Sequence, residues 1–151
     1  MLLGLEFERF FSALIKYIII HCSATAESKD FCAKDIDRWH RARGWNGIGY
    51  HYVIRLDGTI ERGRDVSKVG AHCMGVNNTS IGVCYVGGLA KDGRTPKDTR
   101  TLHQRGALHK LIKQLRVKYP QARVLGHNHF NRAKACPCYD VEAECKALKL
   151  C

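Results

Sequence analysis

The chain has 151 residues, with 25 Lys and Arg against 14 Asp and Glu, giving a formal net charge of +11. Hydrophobic residues make up 45% and charged residues 26%, enough apolar side chain for one packed domain, which excludes intrinsic disorder and, with 14 Gly and 3 Pro, a collagen-like or low-complexity chain. Segment 1–20 is interrupted by Glu6, Glu8, Arg9 and Lys16, so it falls short of the roughly 20 apolar residues of a membrane span.

Leu3, Phe7, Phe10 and Leu14 recur at helical spacing and predict an amphipathic N-terminal helix packed on the core, with a membrane-surface or partner-binding helix as the alternative. Tyr-Ile-Ile-Ile-His-Cys (17–22) is a β-branched run that predicts a central strand, followed by a polar loop at 23–29. Asp30 is a candidate cap for a helix reaching Arg43, with Ile36, Trp39 and Arg43 on one side and Gly44 as its stop. Runs 50–56 and 59–62 flank Asp57-Gly58, a hairpin signal. A buried strand at 80–86 ends at Gly87-Gly88. Leu108, Leu111, Ile112, Leu115 and Tyr119 mark a long helix from about Thr99, stopped by Pro120. A short strand at 123–125 leads into a polar loop at 126–139, and a small helix follows from Asp140. Strands alternating with helices predict one α/β domain, a central mixed β-sheet flanked by helices.

The positive surplus favours an acidic partner: nucleic acid, an anionic membrane or an anionic polymer such as cell wall. Eight cysteines at irregular spacing, none in a C-x-x-C pair, argue against a disulfide scaffold, a zinc ribbon or a thioredoxin-like site. Cys84 lies in an apolar run as a buried thiol, while pairing of Cys138 with Cys145, or of Cys145 with Cys151, stays open. No secretory signal precedes them, so synthesis in a reducing compartment is expected.

Candidate metal ligands stand at element ends. His21 closes the first predicted strand, on the face shared with Ile19 and Tyr17, and Cys22 points the other way. His127, His129 and Cys136 lie in the last loop. Two imidazoles and a thiolate would give a zinc ion three protein ligands and leave its fourth position open to water, the pattern of a catalytic site. Nitrogen and sulfur donors favour zinc over magnesium or calcium.

Several blocks in order surround these positions: Ile-His-Cys-Ser-Ala-Thr (20–25), Ile-Asp-Arg-Trp-His (36–40), Gly-Trp-Asn-Gly-Ile-Gly-Tyr-His-Tyr (44–52) and Asp-Gly-Thr-Ile-Glu-Arg-Gly-Arg (57–64). Further on come Gly-Ala-His (70–72), Asn-Asn-Thr-Ser-Ile-Gly-Val-Cys-Tyr-Val-Gly-Gly (77–88), Gly-His (126–127) and Lys-Ala-Cys-Pro (134–137). Through them the chain resembles, over residues 17–139, the zinc-dependent N-acetylmuramoyl-L-alanine amidases, a family of amidase-type phage lysozymes and peptidoglycan-recognition proteins. The resemblance implies an amidase domain at 17–140, an N-terminal helix or extension at 1–16 and a C-terminal tail or short helix at 141–151. It also implies cleavage of the amide between N-acetylmuramic acid and L-alanine of the stem peptide.

Carried over residue by residue, the zinc ligands fall on His21, His127 and Cys136, and the residues at the reacting centre on Tyr50 and Lys134. His127, preceded by Gly126, matches the family's Gly-His pair better than His129 does. The segment from histidine to cysteine is one residue longer than in some members. The resemblance places His72 toward the substrate groove, with a loop histidine bonded to backbone as the alternative. Arg64 is a candidate clamp for a stem-peptide carboxylate or a structural ion pair, Trp45 a groove wall or a residue packed behind the helix, and His51, opposite to Tyr50 on its strand, a supporting or core residue. A monomer is expected, with peptidoglycan as partner, made in the cytoplasm and reaching the wall after release. Catalytically silent binding modules of the family lose the thiolate ligand, whereas Cys136 is present here. A nucleic-acid-binding or polymerase-binding protein would want clustered base-contacting motifs, which the sequence lacks.

Overall fold

The computed structural model describes residues 2–150. It contains helices α1 (Leu2–Leu14), α2 (Ala33–Ala42), α3 (Leu102–Lys118), α4 (His127–Phe130) and α5 (Val141–Ala147), and strands β1 (Tyr17–Cys22), β2 (Thr25–Ala26), β3 (Tyr52–Ile54), β4 (Ile60–Arg62), β5 (Ser80–Tyr85), β6 (Gly88–Leu89) and β7 (Arg123–Gly126). Five strands form one mixed sheet in the order β4-β3-β5-β1-β7. β1 runs parallel to both β5 and β7, and only the β3–β4 hairpin is antiparallel. A small parallel ladder, β2–β6, extends the loop after β1. Among the described residues no helix is long and apolar enough to cross a membrane.

Both sheet faces are covered, as a largely parallel sheet requires. On one face Ile18, Ile20, Val83 and Tyr85 pack with Leu108, Leu111, Ile112 and Leu115 of α3 and with Val141 of α5. On the other, Val53, Cys84 and Val86 pack with Ile36 of α2. Complete burial of β1 at Ile18, Ile19 and Ile20 explains why its sequence is an apolar run rather than an alternation.

Helix ends follow local chemistry. Thr101 caps α3 by accepting from the Gln104 N–H at 3.0 Å, and Gln104 reaches back to the Thr101 N–H at 2.9 Å. Asp140 caps α5 through the Ala143 N–H at 2.9 Å. Asp30 does not cap α2. The helix begins after Cys32, whose N–H donates to Asp35 at 2.9 Å. Asp30 is drawn instead to the Arg55 guanidinium at 2.7 Å.

Helix α1 forms, but not with the expected face inward. Leu3, Phe7 and Phe10 are 83%, 64% and 67% exposed. Phe11 is half-buried against the core and Ile15, just past the helix, is fully packed. The Ser12 hydroxyl donates to the Lys118 carbonyl at 2.7 Å, so the face carrying Phe11 and Ser12 meets the domain and the Leu3 stripe is left in solvent. The Cys145–Cys151 pairing left open by the sequence ends on Cys151, outside the described residues. Cys138 is engaged elsewhere, its thiol donating to the Gly88 carbonyl at 3.2 Å.

Candidate metal centre

Parallel pairing builds the centre. β1 and β7 lie side by side with Ile20 opposite Gly126, so the next residues, His21 and His127, emerge together at the same sheet edge. Their ring centroids are 4.6 Å apart. This is the carboxyl end of adjacent parallel strands, where open α/β sheets form their sites.

Cys136 arrives from the loop after α4 and is held at three points. Its carbonyl accepts from the Asn128 N–H at 2.9 Å, and the next carbonyl, of Pro137, accepts from the Tyr85 hydroxyl at 2.7 Å. Its sulfur accepts from the Cys22 N–H at 3.2 Å.

Ligating atoms of His21, His127 and Cys136 all lie within 4.8 Å of one another. Cys136 Sγ stands 3.9 Å from His21 Nδ1. Tetrahedral coordination by nitrogen and sulfur places ligand atoms about 3.3–3.6 Å apart, so this edge is close to coordination spacing. Two imidazoles and one thiolate, converging on one point from three segments, form a donor set fit for a metal ion. His129 turns away, its Nδ1 2.9 Å from a Glu142 carboxylate oxygen.

Burial tunes the ligands toward their metal-binding forms. Burial, reinforced by neighbouring His72 and His127, holds His21 well below the usual imidazole range. Burial also lowers His127, and the nearby Lys134 charge adds to it. Both rings therefore stay neutral at pH 7, as coordination demands.

A cleft of 260 Å³ opens over the centre, lined among others by Trp39, His40, Tyr50, His127, Lys134 and Cys136. The Tyr50 ring centroid is 5.1 Å from that of His21. Burial pushes its phenol well above the usual range, and the sulfur atoms of Cys84, Cys136 and Cys22 act in the same direction. Tyr50 thus keeps its proton and can donate a hydrogen bond. Lys134 is exposed at the rim. A larger hollow of 750 Å³ near Arg123 and Glu142 lies away from these ligands.

The candidate substrate contacts Arg64, Trp45 and His72 do not line the cleft over the centre. Arg64 is spent on backbone, donating to the Ile48 carbonyl at 2.9 Å and the Val69 carbonyl at 2.6 Å. Trp45 packs on the His40 ring with centroids 4.6 Å apart. His72 is buried behind His21, with Nδ1 2.9 Å from His21 Nε2. Burial first, then neighbouring His51 and His127, lowers its pKa to about 3. His51 is a core residue whose Nδ1 accepts from the Gly82 N–H at 3.0 Å. Sequence reasoning passed over Trp39, His40 and Arg43 as cleft walls, although the Ile-Asp-Arg-Trp-His block contains two of them. Their helical spacing gave no sign of which side would face an opening.

An α/β domain with a His/His/Cys cluster able to hold a metal ion at its parallel-strand ends has the layout of a hydrolase site. The family model described as N-acetylmuramoyl-L-alanine amidase matches residues 12–139. The endolysin of Enterobacteria phage K11 is 43% identical over 131 residues, covering 87% of this chain and 85% of that protein. The endolysin of Escherichia phage T7 is 42% identical over 125 residues, covering 83% and 82%. Among solved structures, the N-acetylmuramoyl-L-alanine amidase LysC from Clostridium intestinale aligns with a TM-score of 0.75 and 30% identity, over 93% of this chain and 87% of that one. This chain belongs to the N-acetylmuramoyl-L-alanine amidase family, and its activity is that of a peptidoglycan amidase.

Proposed function

We propose that the chain is a zinc-dependent amidase that cleaves the bond between the lactyl group of N-acetylmuramic acid and L-alanine of the stem peptide. The observation that carries this reading is the convergence of His21, His127 and Cys136 within 4.8 Å, at a cleft also lined by Tyr50 and Lys134. All three ligands come from one chain, so a monomer is complete. Similarity to phage endolysins supports a substrate in the bacterial wall, reached after release from the cytoplasm.

Zinc, when bound, supplies an acidified water and a polarised carbonyl. The residues of this chain do the rest. His21 and His127, with the sulfur of Cys136, would hold the ion. Attack of water on the amide carbon produces a tetrahedral oxyanion, and the Lys134 ammonium and Tyr50 hydroxyl donate to that oxygen. Such donors are worth roughly 3–4 kcal/mol each. Collapse breaks the C–N bond, the amine leaves with a proton supplied by the attacking water, and the products are a muramyl carboxylate and a free peptide amine. Trp39 and His40 wall the cleft on the side of α2 and narrow the access of bulk water.

Mass spectrometry of muropeptides after digestion tests the bond and the metal together. Expected products are stem peptides with a free L-alanine amine, lost with a chelator and restored by zinc. Undiminished cleavage in metal-free protein, or cleavage at a glycosidic or peptide cross-link, would overturn the proposal.

A further inference from the structure

Behind the ligands lies a second layer that the reaction scheme leaves unused. The Ser80 hydroxyl has one proton, and its 2.7 Å contact with the Val76 carbonyl takes it, because a carbonyl can only accept. Toward His72 Nε2, 3.2 Å away, the same oxygen must therefore accept, which puts the His72 proton on Nε2. The bare lone pair of His72 is then on Nδ1, 2.9 Å from His21 Nε2, so His21 is the donor there. A neutral His21 with its proton on Nε2 has its own lone pair on Nδ1, the atom that faces Cys136 Sγ at 3.9 Å.

The His72 ring is held in a slot built for it. A Cβ on Gly82 would stand 2.7 Å from ring atoms Cγ and Cδ2, and one on Gly70 would stand 2.6 Å from Cδ2. Two glycines thus let backbone close on the ring. The backbone N–H of His72 is anchored to Asn77 Oδ1 at 2.8 Å. Rotating the ring by half a turn would break the bonds to His21 and Ser80 at once.

We propose that His72, oriented by Ser80, is the positioning residue that selects the Nε2–H tautomer of His21 and presents His21 Nδ1 to the metal. Metal-bound histidines usually hand their second nitrogen to a carboxylate, a backbone carbonyl or water. Here the acceptor is a neutral imidazole, which fixes direction and tautomer without adding charge. The proposal rests on the metal-centre reading above and concerns metal affinity and geometry rather than turnover.

Zinc affinity of the full-length protein, measured by competition with a chromophoric chelator, tests it alongside the visible spectrum of the cobalt-substituted form. His72→Phe should weaken zinc about 10- to 100-fold, the range for loss of such a partner, and alter the cobalt bands. His72→Asn, whose Oδ1 can accept where Nδ1 did, should recover most of the affinity, and Ser80→Ala should fall between. A merely structural histidine would lower the melting temperature of the metal-free variants while leaving zinc affinity intact, and that result overturns the proposal, as does His72→Asn behaving like His72→Phe. Should the Phe variant not fold, long-range ¹H–¹⁵N spectra of unsubstituted metal-free protein decide, because a His21 carrying its proton on Nδ1 also overturns it. Wild-type protein that binds neither zinc nor cobalt would instead sink the metal-centre reading, and this inference with it.

Discussion

The two faces of one sheet are built on opposite principles. Toward α3 the contact is hydrocarbon: Ile18, Ile20 and Val83 against Leu108, Ile112 and Leu115. Toward α2 and the loops, the same strands and their neighbours bury imidazoles, with His21 1% exposed, His51 1% and His72 8%. The first face is held by apolar area and tolerates any well-packed hydrocarbon. The second is held by directional bonds, each imidazole nitrogen needing a partner, with glycines where side chains would collide. A buried polar layer costs stability unless it is fully paired, and the functional chemistry sits on that layer.

Substitutions should separate the faces. The largest effect is expected from Cys136→Ala or His21→Ala, which should abolish muropeptide cleavage while circular dichroism shows the fold retained, because the α3 face is untouched. Next, Leu108→Ala, at a fully buried position, should cost about 2–5 kcal/mol in urea unfolding, with the turnover of the folded fraction unchanged. If it instead abolished zinc binding, the two faces would not be independent. Lys134→Ala should lower kcat about 100-fold with zinc content near one per chain by elemental analysis. Equal loss of metal and rate would make Lys134 a structural residue.

The smallest expected effect is pH dependence. Burial lowers the pKa of His40 and His51 below the usual value of 6.5. Above pH 6.5 both are neutral, folded or unfolded, and contribute no slope. Below it the unfolded chain binds protons that the folded chain refuses, so stability falls as pH drops. Between pH 6.5 and 5 the loss is at most about 2 kcal/mol per histidine. Urea midpoints across that range check it, and a flat profile would remove the imidazole layer as a source of acid sensitivity.

Much of this was legible from residue order. Strand β1 at 17–22, the Asp57-Gly58 hairpin and the small helix from Asp140 follow from short-range rules, because apolar periodicity and turn chemistry act within a few residues. Asp30 misled because its preferred partner, Arg55, is distant in sequence, and no local rule weighs a cap against a remote guanidinium. The Leu3–Phe7–Phe10–Leu14 stripe is helical as its spacing predicts, yet Phe11 and Ile15 hold the chain to the core, because periodicity marks a helix without saying which side its tertiary partners will meet. For Arg64 the sequence leaves a ligand clamp and a structural role open, and its bonds to the Ile48 and Val69 carbonyls tie two backbone segments, a long-range pairing that no local rule weighs.

Residue types and their order by themselves determined the elements, the family and a donor set of two imidazoles and a thiol. The tertiary structure brought His127, already preferred in sequence over His129, and Cys136 to His21, and it alone decided that His72 stands behind His21. The reason is physical. Propensity and periodicity are local, while a metal-binding geometry and a histidine tautomer depend on hydrogen bonds between atoms that parallel strand pairing and loop closure bring together from distant parts of the chain.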